Sequence, residues 1–304
     1  MNRSLAGRLT FRLLAIPVGG LLASLLMFSA VHFLPGDPAA RETHQSPEQY
    51  RRALHALGLD QPLPVQYLHL LGRILNGDLA QRLRPEAMVT TELAGLASLL
   101  ALGLGVAVGT LAAANQGSWK DRLAITGSLI FVSLPNFVWA AILVLVFVTG
   151  VYTLSGGLFA YDVGPCCRGD QIWLPVLALG LPLVGYIARH TRAAMLEVTR
   201  QEYVVTARAK GLVEGRVLRH HIFRNAVLVV ITVATPELTR LFVGSLVIEQ
   251  VFSVQGLGHE LIGSILSRNY DTAVGVFVYY SLLIGIVNLV VDLSYPLLNP
   301  RIRL

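Results

Sequence analysis

The apolar positions of this chain fall into long, nearly unbroken runs. They do not show the regular alternation of a strand or the one-sided stripe of a soluble helix. The runs lie at about Leu13–Leu34, Leu93–Ala114, Leu123–Val151, Ile172–Ala188, Ala226–Ile248 and Ala273–Val291. A helix needs about 20 mainly apolar residues to cross a bilayer. The pattern therefore predicts an all-α membrane protein with about six transmembrane helices. The first run is longer than the roughly 7–15 residues of a signal-peptide core, and no A-x-A-like site follows it, so it predicts an uncleaved helix. Pro135 inside the third run predicts a kink, because proline removes a backbone donor. Pro175 and Pro182 fall in the fourth.

Between the runs the pattern turns polar. Residues 35–91 hold two short amphipathic stretches, Pro47–Leu57 and Val65–Leu75, that predict helices in a structured loop. The turn Asn115-Gln116-Gly117-Ser118-Trp119-Lys120-Asp121-Arg122 separates the second and third runs. For convenience the chain divides into a first helix with its loop (1–91), a five-helix unit (92–297) and a tail (298–304).

Composition agrees with the membrane reading. The chain is 54% hydrophobic and 14% charged, against roughly 25% charged in soluble domains. Its net charge of +6 does not indicate nucleic acid, since no basic run is interleaved with aromatics. The positive charge instead orients the spans, because cytoplasmic loops are enriched in Lys and Arg. Residues 189–224 carry Arg189, Arg192, Arg200, Arg208, Lys210, Arg216, Arg219 and Arg224, whereas the loops at 152–171 and 252–272 carry only Arg168 and Arg268. Both termini and the 189–224 loop are thus expected on the cytoplasmic side. The arginines of 35–91 run against the rule, which weakens for long loops and folded pieces.

Little points to bound chemistry. Adjacent Cys166 and Cys167 can form only a strained bridge and do not make a four-ligand zinc site. His32 near a membrane boundary reads as an interfacial side chain, and His220 with His221 has no second ligand pair. No metal site and no catalytic residue are expected. No G-x-x-x-x-G-K-S/T phosphate loop is present, so the chain should neither bind nor hydrolyse nucleotide by itself. Ionisable and amide groups inside apolar runs are costly and hint at function. Glu237 and Arg240 at i, i+3 would pair on one helix face. Asn136, Asn288 and Asp292 are further candidates for a translocation path or a polar subunit interface. Gly103, Gly105 and Gly109, with Ala101 and Ala107, predict close helix packing by the second span.

The most informative stretch is the basic loop after the fourth span. Thr199 and Glu202 fit a capping box, Glu202 suits the positive end of a helix dipole and Lys210 the negative end, and Gly211 suits a left-handed stop. A short helix is predicted over Arg200–Lys210, with a second piece over Glu214–His221. Tyr203, Ala207 and Gly211 share one face at i, i+4 spacing, where small residues would let a partner approach closely. Arg208 and Lys210 lie elsewhere around the helix, where they would meet acidic groups. A docking element and a solvated basic loop both fit this pattern.

The motifs carry a resemblance. Tyr203 to Asn225, containing Thr206-Ala207-Arg208-Ala209-Lys210-Gly211-Leu212 and then Arg224-Asn225-Ala226, resembles the EAA-type loop of ABC importer permeases of the dipeptide/oligopeptide/nickel family. Further motifs of that family follow in order: Leu34-Pro35-Gly36-Asp37-Pro38; Leu57-Gly58-Leu59-Asp60-Gln61-Pro62 with Gln66-Tyr67 and Gly77-Asp78-Leu79; Ser133-Leu134-Pro135-Asn136-Phe137; Glu249-Gln250-Val251-Phe252-Ser253 with Gly256-Leu257-Gly258; and Asn299-Pro300-Arg301-Ile302-Arg303. Val229, Gln255 and Asp271 stand where that family usually has proline.

The resemblance implies a type I ABC importer fold with an outer loop after helix 1, in which Glu202, Tyr203, Ala207, Arg208, Ala209, Lys210 and Gly211 couple to a separate ATPase. It also implies a second related permease, two ATPase subunits holding ATP and Mg, and an extracytoplasmic solute-binding protein. Short peptides are the expected cargo, with nickel, a metal–chelator complex or glutathione as alternatives. Two other classes stand apart from this reading. A standalone channel or secondary transporter would not need the docking loop. An intramembrane enzyme would need Glu237, Asp292, Ser133 and His32 to converge, and no H-E-x-x-H or G-x-S-x-G motif brings them together.

Overall fold

The computed structural model describes residues 5–33, 60–154 and 172–298, with 48, 52, 54, 55 and 58. The Pro35-Gly36-Asp37-Pro38 motif, most of the Pro47–Leu57 stretch, Cys166 with Cys167, and the Asn299–Arg303 motif lie outside the described residues, as does the side chain of Asp292. Along the chain come α1 (Leu5–Phe33), α2 (Leu63–Leu75), α3 (Asp78–Arg82), α4 (Arg84–Ala114), α5 (Trp119–Ser133) and α6 (Asn136–Leu143). A π-helical stretch (Val144–Gly150) leads into α7 (Val151–Leu154). Then follow α8 (Trp173–Thr199), α9 (Glu202–Ala209) and α10 (Glu214–Arg216), a second π stretch (Val217–Phe223), α11 (Arg224–Val251), α12 (Leu257–Leu266) and α13 (Tyr270–Leu298).

Five of these helices are long and apolar enough to cross a membrane, or up to six if the bent pair α5 and α6 counts as one span. The surface chemistry agrees. On α1, Leu14, Leu22 and Leu26 are 65%, 57% and 69% exposed, which suits hydrocarbon and not water.

The third span corrects the expectation of a kink. Its two halves, Trp119–Ser133 and Asn136–Gly150, meet at 102°. Proline drives the preceding residue out of the helical region: Leu134 is extended at φ −104°, ψ 133°, and Pro135 is extended as well, at ψ 153°. The helix therefore ends and a new one starts. Pro135 carbonyl accepts the N–H groups of Val138 (3.0 Å) and Trp139 (3.3 Å). Trp139 closes the corner by donating Nε1–H to the Phe131 carbonyl at 3.2 Å, with its ring edge-on to Phe131. Pro17, Pro182 and Pro236 stay inside continuous helices.

The chain forms two compact units. The first is Met1–Val89 with Gln255–Leu289. Within the first unit, α1 and α13 approach closely at Gly20 beside Leu282 and at Gly285 beside Ile16. The Gln66-Tyr67 motif staples α2 onto α1: the Tyr67 hydroxyl lies 2.8 Å from Ser24 Oγ, and Gln66 Oε1 lies 3.3 Å from His32 Nε2. Val31, Leu70, Val274 and Val278 make the local core. Leu79 of the Gly77-Asp78-Leu79 motif packs onto Gly275. Asp271, the departure from the family's proline, forms a 2.6 Å ion pair with Arg73 of α2.

The second unit is Thr90–Val254 with Val290–Leu304. Its centre is α8, which packs on α5, α6 and α11. The small residues of α4 that matter are Ala94, Ala97, Ala101, Gly105 and Gly109, all buried. A methyl at Gly105 would stand 2.7 Å from Ile187 Cβ, and one at Gly109 would overlap the Ala188 carbonyl. Gly103, by contrast, faces open space, and Ala107 is exposed. Only part of the expected small face thus packs against α8.

Candidate functional site

The element after α8 is built as a hook. The capping box is absent: Thr199 belongs to α8 and donates its hydroxyl to the Met195 carbonyl at 2.7 Å. Gln201 caps the next helix through its backbone carbonyl, which accepts from Val204 and Val205. Serine and threonine side chains readily make this backward bond inside helices, and here it removes Thr199 from N-cap duty. Glu202 keeps its expected place in the first turn of α9, and Lys210 caps the C-terminus. Gly211 ends the helix at φ +76°. A left-handed residue costs a side-chain-bearing amino acid about 1–2 kcal/mol, which explains glycine here.

The hook has an inner and an outer side. Val204 (0% exposed) and Ala207 (5%) face inward, and α9 packs on the end of α8 and on the π stretch Val217–Phe223. Glu202, Tyr203, Val205, Thr206, Arg208, Ala209, Lys210 and Gly211 are exposed. Ala207 therefore does not belong to the docking face expected of Tyr203 and Gly211. It sets how closely the hook lies on its own chain. Arg208 is also engaged internally: Nε donates to Glu214 Oε2 at 3.1 Å and Nη2 to Oε1 at 2.6 Å. This bidentate pair ties α9 to α10 across the Gly211 turn. Lys210 and Tyr203 remain on the outer surface. After the turn the π stretch leads without a break into α11, where Val229, at the family's proline position, sits inside a continuous helix.

The candidates inside the apolar runs are partly gathered. Glu237 and Arg240 pair as expected, at 2.8 Å. Asn136 meets α11 at Gly244, where its Nδ2 would be 2.9 Å from an added methyl. Positions 237, 240 and 244 share one stripe of α11, and Asn136 touches it about 10 Å along the axis from Glu237. Asn288 is exposed on α13.

Within the second unit, the ties Asp121–Arg192 and Thr90–Glu249 escape sequence reasoning, because their partners are far apart along the chain. Asp121 and Arg192 form a bidentate pair, with Arg192 Nε 2.6 Å from Oδ1 and Nη2 2.8 Å from Oδ2. Glu249, fully buried, accepts from Thr90 Oγ1 at 2.9 Å. Ser245 Oγ lies 3.0 Å from the same carboxyl oxygen and 2.8 Å from the Phe242 carbonyl, so its one proton serves either. The family motif at Glu249 is the signal that would have drawn attention there. Replacing Glu249 by Gln should leave thermal stability in detergent nearly unchanged, because an amide oxygen still accepts. Glu249→Leu should lose about 0.6–1.7 kcal/mol per broken interhelical bond, read as a lower melting temperature. An unchanged melting temperature in Glu249→Leu would show that this tie carries no stability.

Comparison with known proteins follows the same lines. Residues 105–304 match the family described as the binding-protein-dependent transport system inner membrane component. A dipeptide transport system permease protein of Escherichia coli is 34% identical over 317 residues, covering 92% of this chain and 94% of the relative. A di/tripeptide transport system permease protein of Pseudomonas aeruginosa is 37% identical over 314 residues, with the same coverage. A putative peptide transport system permease protein of Brucella abortus is 37% identical over 303 residues, covering 95% of this chain and 96% of the relative. The crystal structure of an amino acid ABC transporter superposes with a TM-score of 0.57 at 15% identity, over 74% of this chain and 97% of that one. It shows the fold alone, the helical membrane architecture of an ABC transporter. With a family match across residues 105–304 and relatives aligned almost end to end, the chain belongs to the inner membrane components of binding-protein-dependent transport systems.

Proposed function

We propose that this chain is one permease subunit of an ATP-driven importer of short peptides. It forms half of the translocation path together with a second, related permease. Two separate ATPase subunits hold ATP and Mg, and one of them receives the α9 hook at the cytoplasmic face. A solute-binding protein delivers cargo at the outer face, and both termini of the chain lie in the cytoplasm. Closure of the ATPases moves the hooks, and the packed helices rock as rigid bodies between outward- and inward-facing states. Support for a peptide cargo comes from the relatives of Escherichia coli and Pseudomonas aeruginosa, which are permeases of dipeptide and di/tripeptide transport systems.

The observation that carries this reading is the hook itself. A short helix projects Tyr203, Val205 and Lys210 outward while Val204 and Ala207 seat it on its own chain, and glycine terminates it. A standalone channel has no use for such a lever. The test is uptake of radiolabelled alanylalanine into proteoliposomes holding the full complex, with ATP supplied on the ATPase side. Uptake should require ATP, both ATPases and the binding protein, and excess nickel or glutathione should not compete. ATP-independent uptake by this chain alone would overturn the proposal in favour of a channel or secondary transporter.

A further inference from the structure

A second bidentate ion pair in this unit lies outside the hook. Asp121 stands in the first turn of α5, held from three directions. Its backbone N–H donates to the Ser118 hydroxyl at 3.3 Å. Its Oδ2 accepts the Gly117 N–H at 2.9 Å, in a turn where Gly117 takes φ +79°. The Arg192 guanidinium forks onto both carboxyl oxygens. The Asp121 side chain is 3% exposed and that of Arg192 24%.

Position gives this contact its meaning. Arg192 lies on α8 seven residues before Thr199, where that helix ends and the hook begins. At 1.5 Å per residue the distance along the axis is about 10 Å. On the same stretch of α8, Gly109 of α4 seats against Ala188 and Thr191, and Gly185 seats against the Ser128 carbonyl of α5. The α4–α5 turn is therefore pinned to the part of α8 nearest the hook. Apolar close packing already holds α5 on α8, so the ion pair is not required merely to bring the helices together. Arginine binds carboxylate through a planar fork that fixes orientation as well as distance, and the desolvation cost of a largely buried pair offsets much of its contribution to stability.

We propose that Asp121 and Arg192 are positioning residues that make the α4–α5 turn travel with α8, so that hook movement reaches α4 and α5 as one rigid piece. The inference rests on the transport reading above and adds to it a second contact through which force must pass. With the clamp loosened, the ATPases still engage the hook and cycle, but α8 slides relative to α4 and α5 and cargo movement fails.

The test measures ATP hydrolysis and alanylalanine uptake in the same proteoliposomes for wild type, Asp121→Asn and Arg192→Lys, using only complex that elutes intact on size exclusion. Coupling energies in proteins correspond to roughly 5- to 150-fold effects. Asp121→Asn should lower uptake per ATP about tenfold with hydrolysis within about twofold of wild type. Arg192→Lys keeps the charge and loses the fork, so it should fall in between. An unchanged ratio in both variants overturns the clamp, and so does a parallel loss of hydrolysis and uptake, which marks a purely structural pair. Wild type without ATP-dependent uptake fells the transport reading, and the clamp with it.

Discussion

A Gly109→Leu chain is expected to yield little folded protein, while Gly103→Leu, six residues earlier on the same helix, folds normally. The two glycines look alike in sequence, and both lie in the apolar run of α4. They differ in what stands opposite. A side chain at Gly109 would collide with the backbone carbonyl of Ala188 and with Thr191, whereas one at Gly103 meets nothing within 4 Å. A carbonyl inside α8 cannot rotate away, so α4 and α8 would have to separate. Inserting extra methylenes into a packed core costs about 1–3 kcal/mol even where side chains can yield. Without a strong hydrophobic force between helices in lipid, close approach of small residues is what holds them. The readout is monodisperse protein by fluorescence size exclusion and its melting temperature in detergent. Equal yields from the two variants would show that α4 does not seat on α8 through Gly109.

The second large effect concerns the inner side of the hook. Ala207→Leu should disconnect ATP hydrolysis from uptake, more severely than a change on the exposed side such as Val205→Ala. Ala207 is 5% exposed and sits between α9 and the elements beneath it. A leucine there lifts the hook from its seat. An overpacking cost of about 1–3 kcal/mol shifts a seated-to-displaced equilibrium roughly 5- to 150-fold. Gly211→Val acts at the same element by another route, since a β-branched side chain at positive φ is strained. Both are read as uptake per ATP in the reconstituted complex. Full coupling in Ala207→Leu would mean that the seat of the hook is irrelevant to transport.

Much of this architecture is legible in the sequence, for definite physical reasons. A span must be apolar along about 20 residues, so the spans are visible without knowledge of any partner. Gly211 is visible because a left-handed stop has few chemical solutions. The Glu237–Arg240 pair is visible because i, i+3 neighbours on a helix meet without tertiary information. What remained hidden depends on partners far apart in the chain. Asp121 and Arg192 are 71 positions apart, and Thr90 and Glu249 are 159 apart. Local spacing also misled where two local options compete. Thr199 could cap forward or bond backward, and it bonds backward. Ala207 shares a helical face with Tyr203, yet its burial is decided by the elements beneath α9. The proline in the third span signalled distortion, but its size depended on Leu134 and Pro135 both becoming extended.

The most direct test of the central claim asks which face the hook presents and what covers it. In a Cys166→Ser, Cys167→Ser background, a cysteine at Tyr203, which is 44% exposed, is treated with a membrane-impermeant maleimide. Right-side-out and inside-out vesicles are compared, with and without bound ATPase subunits. Labelling should occur only in inside-out vesicles and disappear when the ATPases are bound. Labelling in right-side-out vesicles, or labelling that bound ATPases leave unchanged, would contradict the coupling role.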